Sequence, residues 1–345
     1  MAPSPRTRIG VVGLGQMGRY HTQAYRAVGA DIVGVCDTDP ERAAAFGAEH
    51  DLPSCTSFDE LLATPGLTAV SICTPPHLHL PMVRAALEAG LDVLCEKPLA
   101  STLRDGRTLA GFLPPDRIVM LCFFHRFHEP IVRLRTMLAA GELGTPHFMR
   151  NRFALDLRAD RRPWLWDPAR AGGGAVLNTS VHSIDLFRFL IGEPLRVAAR
   201  MRPTPTEVTL EHDAVLLLEG APGGPTAVLE AASYAVEREY ALTLETDQAV
   251  ANVGWNPPLL RIRRHADDRW TEVPIAASSS VTRIQAGIDH FLCCVAERRQ
   301  PHALIADGVR ALEVAEAAYR SVAEDRFVAC GPGGSGGPAD PRQAI

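Results

Sequence analysis

The feature that most constrains the fold is Gly13-Leu-Gly15-Gln16-Met17-Gly18, which directly follows an apolar run and opens an amphipathic segment. Glycines at these positions permit a tight turn and close backbone approach, and the amides of the following helix then face a pyrophosphate. A bare GxGxxG carries little weight, because glycine-rich turns are common. Here it stands between a strand-like and a helix-like segment, and Asp37 closes the next apolar run 19 residues after Gly18. That is the position for a carboxylate accepting from ribose hydroxyls. Gly13, Gly15, Gln16, Met17, Gly18 and Asp37 therefore form a candidate dinucleotide site. The charge of Asp37 repels a 2′-phosphate and favours NAD over NADP. Arg42, five residues on, softens that preference and keeps NADP as the alternative.

Up to residue 125, apolar runs at 9–13, 31–37, 69–74, 92–96 and 118–123 alternate with helix-like segments at 16–28, 40–50, 58–63, 77–89 and 102–112. This is the pattern of a parallel sheet with crossover helices. Ser57-Phe-Asp-Glu60 reads as a capping box and Gly90 as a left-handed helix stop. Beyond 126 the spacing predicts a helix over 129–140, a strand over 147–154 and a helix over 178–191. Runs rich in Val, Leu and Thr between 196 and 274 predict antiparallel strands, and helices at 282–298 and 307–324 close the same domain. The expected fold is α/β: an N-terminal Rossmann dinucleotide-binding domain over 1–125, then an α+β domain over 126–330 with a large, mostly antiparallel open sheet. Residues 331–345, which begin Gly-Pro-Gly-Gly-Ser-Gly-Gly, read as a disordered tail.

Composition narrows the partners. A net charge of −5 argues against a nucleic-acid partner, which calls for a basic surface. The longest stretch without a charged side chain, 61–83, contains Pro65, Gly66, Pro75, Pro76 and Pro81 and cannot form a membrane helix. Residues 1–8 lack the apolar core of a signal peptide. Eight cysteines with no CxxC pair read as reduced, core-filling thiols of a cytoplasmic protein, and no metal-ligand spacing appears. Of 35 basic side chains, 34 are Arg and one is Lys, Lys97. A chain that uses Arg wherever a permanent charge suffices marks its single lysine as a place where a compact ammonium with a tunable pKa matters. Lys97 also closes a strand-like run, and ligands bind at that edge of an open parallel sheet.

The ordered set of the glycine turn, Thr74-Pro75-Pro76-His77-Leu78-His79, Glu96-Lys97-Pro98 and Gly172-Gly-Gly-Ala-Val-Leu-Asn178-Thr-Ser180-Val-His182-Ser-Ile-Asp185 resembles the Gfo/Idh/MocA family over about 6–330. This family contains glucose–fructose oxidoreductase and the inositol and sugar dehydrogenases. The resemblance implies that Thr74, Pro75, His79, Glu96 and Lys97 line the nicotinamide end of the cofactor cleft. It also implies a second-domain sheet that often forms the interface of a homodimer or homotetramer. Pro76 stands where the family usually has Asn, Asn178 where many members have Asp, and Ser180 where they have Gly.

Asn178, His182 and Asp185, four and three residues apart, fall within about 60° of one helical face. Histidine suits general-base work near neutrality. Asn178 cannot take a proton and can only orient substrate or His182. Lys97, His182 and Asn178 are therefore the catalytic candidates, with Lys97 polarising the reacting oxygen and His182 as the acid/base. Asp185 either orients His182 or serves a structural partner. Arg126, Trp166, Asn178, Ser180 and His182 are the substrate candidates, with His125 at the pocket edge. Arg150, Arg152, Arg158, Arg161, Arg162 and Arg170 either meet an anionic substrate or form a solvated basic loop. Trp164 and Trp166 either stack on a sugar or pack within the protein.

The expected function is an NAD-dependent oxidoreductase acting on a secondary CH–OH of a sugar, polyol or cyclitol. The alternatives are a ketosugar reductase, including nucleotide-sugar reduction, and a non-catalytic NAD(P)-sensing regulator.

Overall fold

Two sheets organise the molecule, seen in a computed structural model that describes residues 7–158, 160, 162–203, 210–275 and 280–331. The expected tail from 332 onward and Arg161 lie outside the described residues. The chain divides into two units: one runs to Phe124 and resumes over Ser280–Val309, the other covers His125–Ser279 and Arg310 onward.

In the first unit the elements are β1 (Arg8–Val12), α1 (Gln16–Ala27), β2 (Asp31–Cys36), α2 (Pro40–His50), β3 (Ser54–Cys55), α3 (Phe58–Leu62), β4 (Ala69–Ile72), α4 (His79–Glu88), β5 (Asp92–Cys95), α5 (Leu103–Ala110) and β6 (Val119–Leu121). The strands pair in parallel in the order β3-β2-β1-β4-β5-β6. That order reverses direction between β1 and β4, where open α/β sheets bind their ligands. Every residue of β4 and β5 is buried, as expected for strands covered by helices on both faces.

Local chemistry sets the helix ends. Asp39 accepts from the Glu41 and Arg42 amides, and Pro40 opens α2. Thr102 caps α5 through the Asp105 amide, and Gly90 adopts φ +76° after α4. The capping box expected at Ser57 is absent: Ser57 occupies the N-cap position of α3, but its side chain makes no capping hydrogen bond. Its backbone carbonyl accepts instead from the thiol of Cys55.

The second unit contains α6 (Glu129–Ala139), β7 (Pro146–Asp156), α7 (Pro168–Ala171), α8 (Val181–Leu190), β8 (Arg196–Pro203), β9 (Glu211–Glu219), β10 (Thr226–Ala232), β11 (Tyr234–Thr246), β12 (Ala249–Trp255), β13 (Pro258–Arg264) and β14 (Thr271–Glu272). Its sheet order is β14-β13-β12-β11-β7-β10-β9-β8-β15, where β15 is Val328–Ala329. All pairs are antiparallel except β7 with β10. Alternation along β10 and β12 buries one face and leaves the other partly exposed, as in a one-sided sheet.

The linear division at 125/126 differs from the observed units at the C-terminal helix α9 (Ser280–Glu297), while α10 (Ile305–Glu324) lies in the second unit from Arg310 onward. Helix α9, expected to close the second domain, packs on α1 in the first unit, burying Ile284, Ile288 and Phe291. Arg298 fixes the segment by pairing with Asp92 of β5 at 2.6 Å, and the Leu121 amide of β6 donates to Ala303 O. An amphipathic pattern shows that a helix has an apolar partner, not which one.

Candidate active site

The turn after β1 requires its glycines. Gly13 sits at φ +86°, and a Cβ there would lie 2.8 Å from the Cys73 carbonyl. A Cβ on Gly18 would strike Gly13 O, whereas at Gly15 it would meet no described atom within 4 Å. The turn is thus closed against its own protein and open where a ligand approaches. Asp37, at the end of β2, is buried and accepts from the Leu14 amide at 2.9 Å and the Asp39 amide at 3.0 Å. The Arg42 guanidinium reaches both Asp37 oxygens at 3.1 and 3.2 Å and Asp39 at 3.0 Å. An open glycine turn with a carboxylate held beside it fits the pyrophosphate and ribose of NAD.

Thr74 and Pro75 follow β4 and are half-buried, and Thr74 Oγ1 donates to Met82 Sδ at 3.4 Å. Lys97 follows β5, also half-buried, and its amide donates to Glu96 Oε2 at 3.1 Å. The other Glu96 oxygen faces His21 Nε2 at 3.0 Å, and His21 Nδ1 lies 2.6 Å from Ser71 Oγ. Burial opposes the charge on His21, but Cys73 and Glu96 outweigh it, and its pKa is pushed up to about 10. Among the described residues, His21, Glu96 and Cys122 are the one set whose donor atoms crowd within 4.8 Å of one another. Spacing in the sequence could not show this set, since it joins α1 to the ends of β5 and β6. The bonds from His21 to Glu96 and Ser71 account for it as a hydrogen-bonded ion pair.

The second unit carries the remaining candidates. Gly172 ends α7 at φ +79°. The next two glycines pass close to a buried pair: a Cβ on Gly173 would strike the Tyr319 hydroxyl, and one on Gly174 would strike Glu211 O. Glu211 Oε1 accepts from the Gly174 amide at 3.0 Å, the Val176 amide at 2.9 Å and Tyr319 at 2.7 Å. Burial pushes the Glu211 pKa up, and these donors pull it back.

The regular helix expected from 178 instead begins with a π-helical turn over Val176–Ser180, which runs into α8. A wider turn shifts the phase, and such turns concentrate at functional sites. Asn178 and His182 remain half-buried, while Asp185 is buried and forms a two-pronged pair with Arg126, with Nε at 2.9 and 3.1 Å from its oxygens. Beside His182 stands His125, the ring centroids 4.4 Å apart and edge to face. Trp255 Nε1 donates to His125 Nδ1 at 2.8 Å, which places the proton of a neutral His125 on Nε2.

Residues 7–113 match the NAD-binding Rossmann domain of the GFO/IDH/MocA oxidoreductase family, and residues 131–250 match its C-terminal domain. The chain belongs to the GFO/IDH/MocA family. Its relatives include a 1,5-anhydro-D-fructose reductase of Ensifer adhaerens, 33% identical over 220 residues, a match covering 63% of each chain. That match spans less than two thirds of the relative's length. A D-apiose dehydrogenase of Paraburkholderia graminis is 29% identical over 348 residues, covering 94% of this chain and 89% of the relative. A levoglucosan dehydrogenase solved in complex with NADH shares the fold at a TM-score of 0.88 and 23% identity, over 94% of this chain and 99% of that one. As a member of this family the chain is an NAD-binding oxidoreductase. No helix among its described residues is long and apolar enough to cross a membrane.

Two residues that the GFO/IDH/MocA resemblance placed along the cofactor cleft, His79 and Glu96, are engaged by the protein's own groups. His79 is completely buried, with Nδ1 and Nε2 each 2.9 Å from a carbonyl oxygen, those of Pro98 and Thr74. Burial lowers its pKa, so the ring is neutral and ties the loop after β4 to the loop after β5. Glu96 is likewise buried, its carboxylate committed to His21 and the Lys97 amide. Ser180 is buried, with its hydroxyl facing no hydrogen-bond partner among the described residues. Arg126 has its charge matched by Asp185, the structural partner left open for that aspartate.

The arginine-rich loop offers no unmatched charge among its described members. Arg150 pairs with Glu230, Arg152 with Glu230 and Glu239, Arg158 with Asp156, Arg162 with Asp160 and Arg170 with Asp167. Trp166 is half-buried, donates to Asp160 O at 3.1 Å and sits edge-on to Tyr234, while Trp164 lies under the Arg162 guanidinium. Sequence reasoning passed over Glu211, Tyr319, Trp255 and His21. His21 alone left a trace: with Gly18, Thr22 and Tyr25 it forms the buried face of α1, where a histidine stands out.

Proposed function

We propose that the chain is an NAD-dependent dehydrogenase of a secondary hydroxyl in a sugar, polyol or cyclitol. The observation that carries this reading is the placement of the only lysine, Lys97, at the C-terminal end of β5 in a family whose members are named for such substrates. NAD, when bound at Gly13–Gly18 and Asp37, takes the hydride of the reacting carbon in oxidation and returns it in reduction. Lys97 donates a hydrogen bond to the reacting oxygen and favours its deprotonated form. His182 takes the hydroxyl proton, so the carbon–oxygen double bond forms as the C–H bond breaks. Asn178 orients the substrate without exchanging a proton.

The 1,5-anhydro-D-fructose reductase relative favours a second direction, in which the same residues run the chemistry toward reduction of a ketosugar. We assign the outer face of the nine-stranded sheet to a homodimer or homotetramer contact, because Val215 and Leu217 lie exposed there. Eight thiols without a disulfide suit a reducing cytoplasm.

A panel of inositols, free sugars, sugar acids and nucleotide sugars, each with NAD⁺ and NADP⁺ and in both directions, tests this at 340 nm. The expected result is turnover of one substrate class with NAD preferred. Cofactor binding without an absorbance change across the panel would overturn the reading and support a cofactor-sensing protein.

A further inference from the structure

We propose that His21 and Glu96 form a buried, charge-cancelling pair that positions Lys97: the carboxylate holds the lysine's backbone amide while the imidazolium keeps its charge from reaching the ammonium. The inference rests on the role given above to Lys97.

The geometry is a chain of three hydrogen bonds through the first unit. Ser71 Oγ of β4 meets His21 Nδ1 of α1 at 2.6 Å, His21 Nε2 meets Glu96 Oε1 at 3.0 Å, and Glu96 Oε2 accepts from the Lys97 amide at 3.1 Å. His21 and Ser71 are 0% exposed and Glu96 is 4% exposed, so solvent screens none of them. If a backbone anchor were all that the site needed, the neutral amide of glutamine would accept the same N–H without burying a charge. A carboxylate there carries a cost that only a cation removes, and His21 is that cation.

Five further titratable groups stand around the pair. Tyr25 on α1, Cys73 after β4, Cys95 on β5 and Cys122 after β6 have their pKa values raised, chiefly by burial. His79 on α4 has its pKa lowered by burial. The pair, an imidazolium beside a carboxylate, carries no net charge. Its neutrality decides what field reaches the next residue, whose amide its carboxylate holds at 3.1 Å. A lysine beside an uncompensated carboxylate would hold its proton to higher pH and be slower to assist a proton-transfer step.

The single lysine makes this directly measurable. Protein labelled with ¹³C at lysine Cε carries one labelled side chain, and its resonance follows Lys97 through its titration. In His21→Gln the carboxylate loses its counter-charge, and the Lys97 midpoint should rise by about one pH unit. In Glu96→Gln the amide still accepts from Lys97 and His21 sheds its proton, so the midpoint should stay near that of the native protein. The double variant His21→Gln/Glu96→Gln should return to the native midpoint. Ser71→Ala, which removes the Nδ1 partner of His21, should give a smaller upward shift and keeps the test open if His21→Gln does not fold. A native midpoint in both His21→Gln and Ser71→Ala, or an upward shift that persists in the double variant, would overturn the inference. Should the midpoint move as stated while Lys97→Ala retains turnover, the catalytic reading of Lys97 fails and the charge-cancelling pair stands.

Discussion

Tyr319 donates its hydroxyl proton to Glu211 at 2.7 Å, and the same carboxylate oxygen gathers the Gly174 and Val176 amides. The loop ahead of His182 is thus fixed from a strand and from the C-terminal helix of its own unit. Gly173→Ala drives a methyl into the Tyr319 hydroxyl and should cost about 1–3 kcal/mol by overpacking. Adding Tyr319→Phe removes the atom struck first and should recover part of the loss in urea unfolding. Failure of the second change to recover any stability would show that the glycine is needed for another reason.

The Arg126–Asp185 pair is buried on both sides, with 6% and 1% of its side chains exposed. Asp185→Asn leaves a guanidinium without its charge partner and should destabilise by about 3–5 kcal/mol. Urea midpoints measure the loss, and NADH affinity, read by fluorescence titration, should remain at the native value.

Lys97→Ala and His182→Ala should each lower kcat by about 10²–10⁴-fold while NADH affinity changes little. Stopped-flow hydride transfer and fluorescence titration separate the two quantities. An equal loss of NADH affinity in both variants would contradict the division of labour between binding and proton transfer.

Arg42 touches Asp37 and Asp39 and is half exposed, so it answers the charge that excludes a 2′-phosphate. Arg42→Ala should sharpen the preference for NAD⁺ in kcat/KM. Asp37→Ala should weaken NAD⁺ use by about tenfold, the loss of a charge-assisted hydrogen bond to ribose, and leave Arg42 to favour NADP⁺. Titration with 2′-AMP and 5′-AMP gives the same comparison without turnover.

The raised pKa of His21 sets a pH dependence. The folded protein holds the proton to about pH 10, whereas an unfolded histidine releases it near 6.5. The contribution to stability is therefore complete below 6.5 and declines as pH rises toward 10. Urea midpoints should fall between pH 6.5 and about 7.5, before unfolded thiols ionise appreciably, and the fall should be shallower in His21→Gln.

The sequence made the first sheet legible because buried parallel strands are continuous apolar runs. Each of the five expected runs overlaps a strand, and Gly13–Gly18 and Asp37 close two of them. Two-residue β3 was invisible, since two side chains carry no period. Residues 178–180 of the π-helical turn at Val176–Ser180 read as α-helix because a one-residue change of phase leaves the apolar spacing nearly intact. Glu211 lies in a strand whose burial alternates, and nothing local distinguishes a glutamate that turns inward to serve three donors from one in solvent. His79 and Glu96 sit in recognisable motifs, but motif membership says nothing of which side of a loop a side chain takes. Arg150 and Arg152 looked like part of a basic patch because their partners Glu230 and Glu239 come from strands far along the chain.

Helix α9 covers α1 from more than 250 positions downstream, with the whole segment His125–Ser279 synthesised in between. As the chain emerges, β1–β6 can pair early, but the part of α1 that α9 covers stays bare until Ile284, Ile288 and Phe291 arrive. A nucleotide-binding fragment ending near 125 should therefore be sticky and poorly soluble, and one rejoined to 280–309 through a short linker should not. The first half of this protein to begin folding is among the last to be finished.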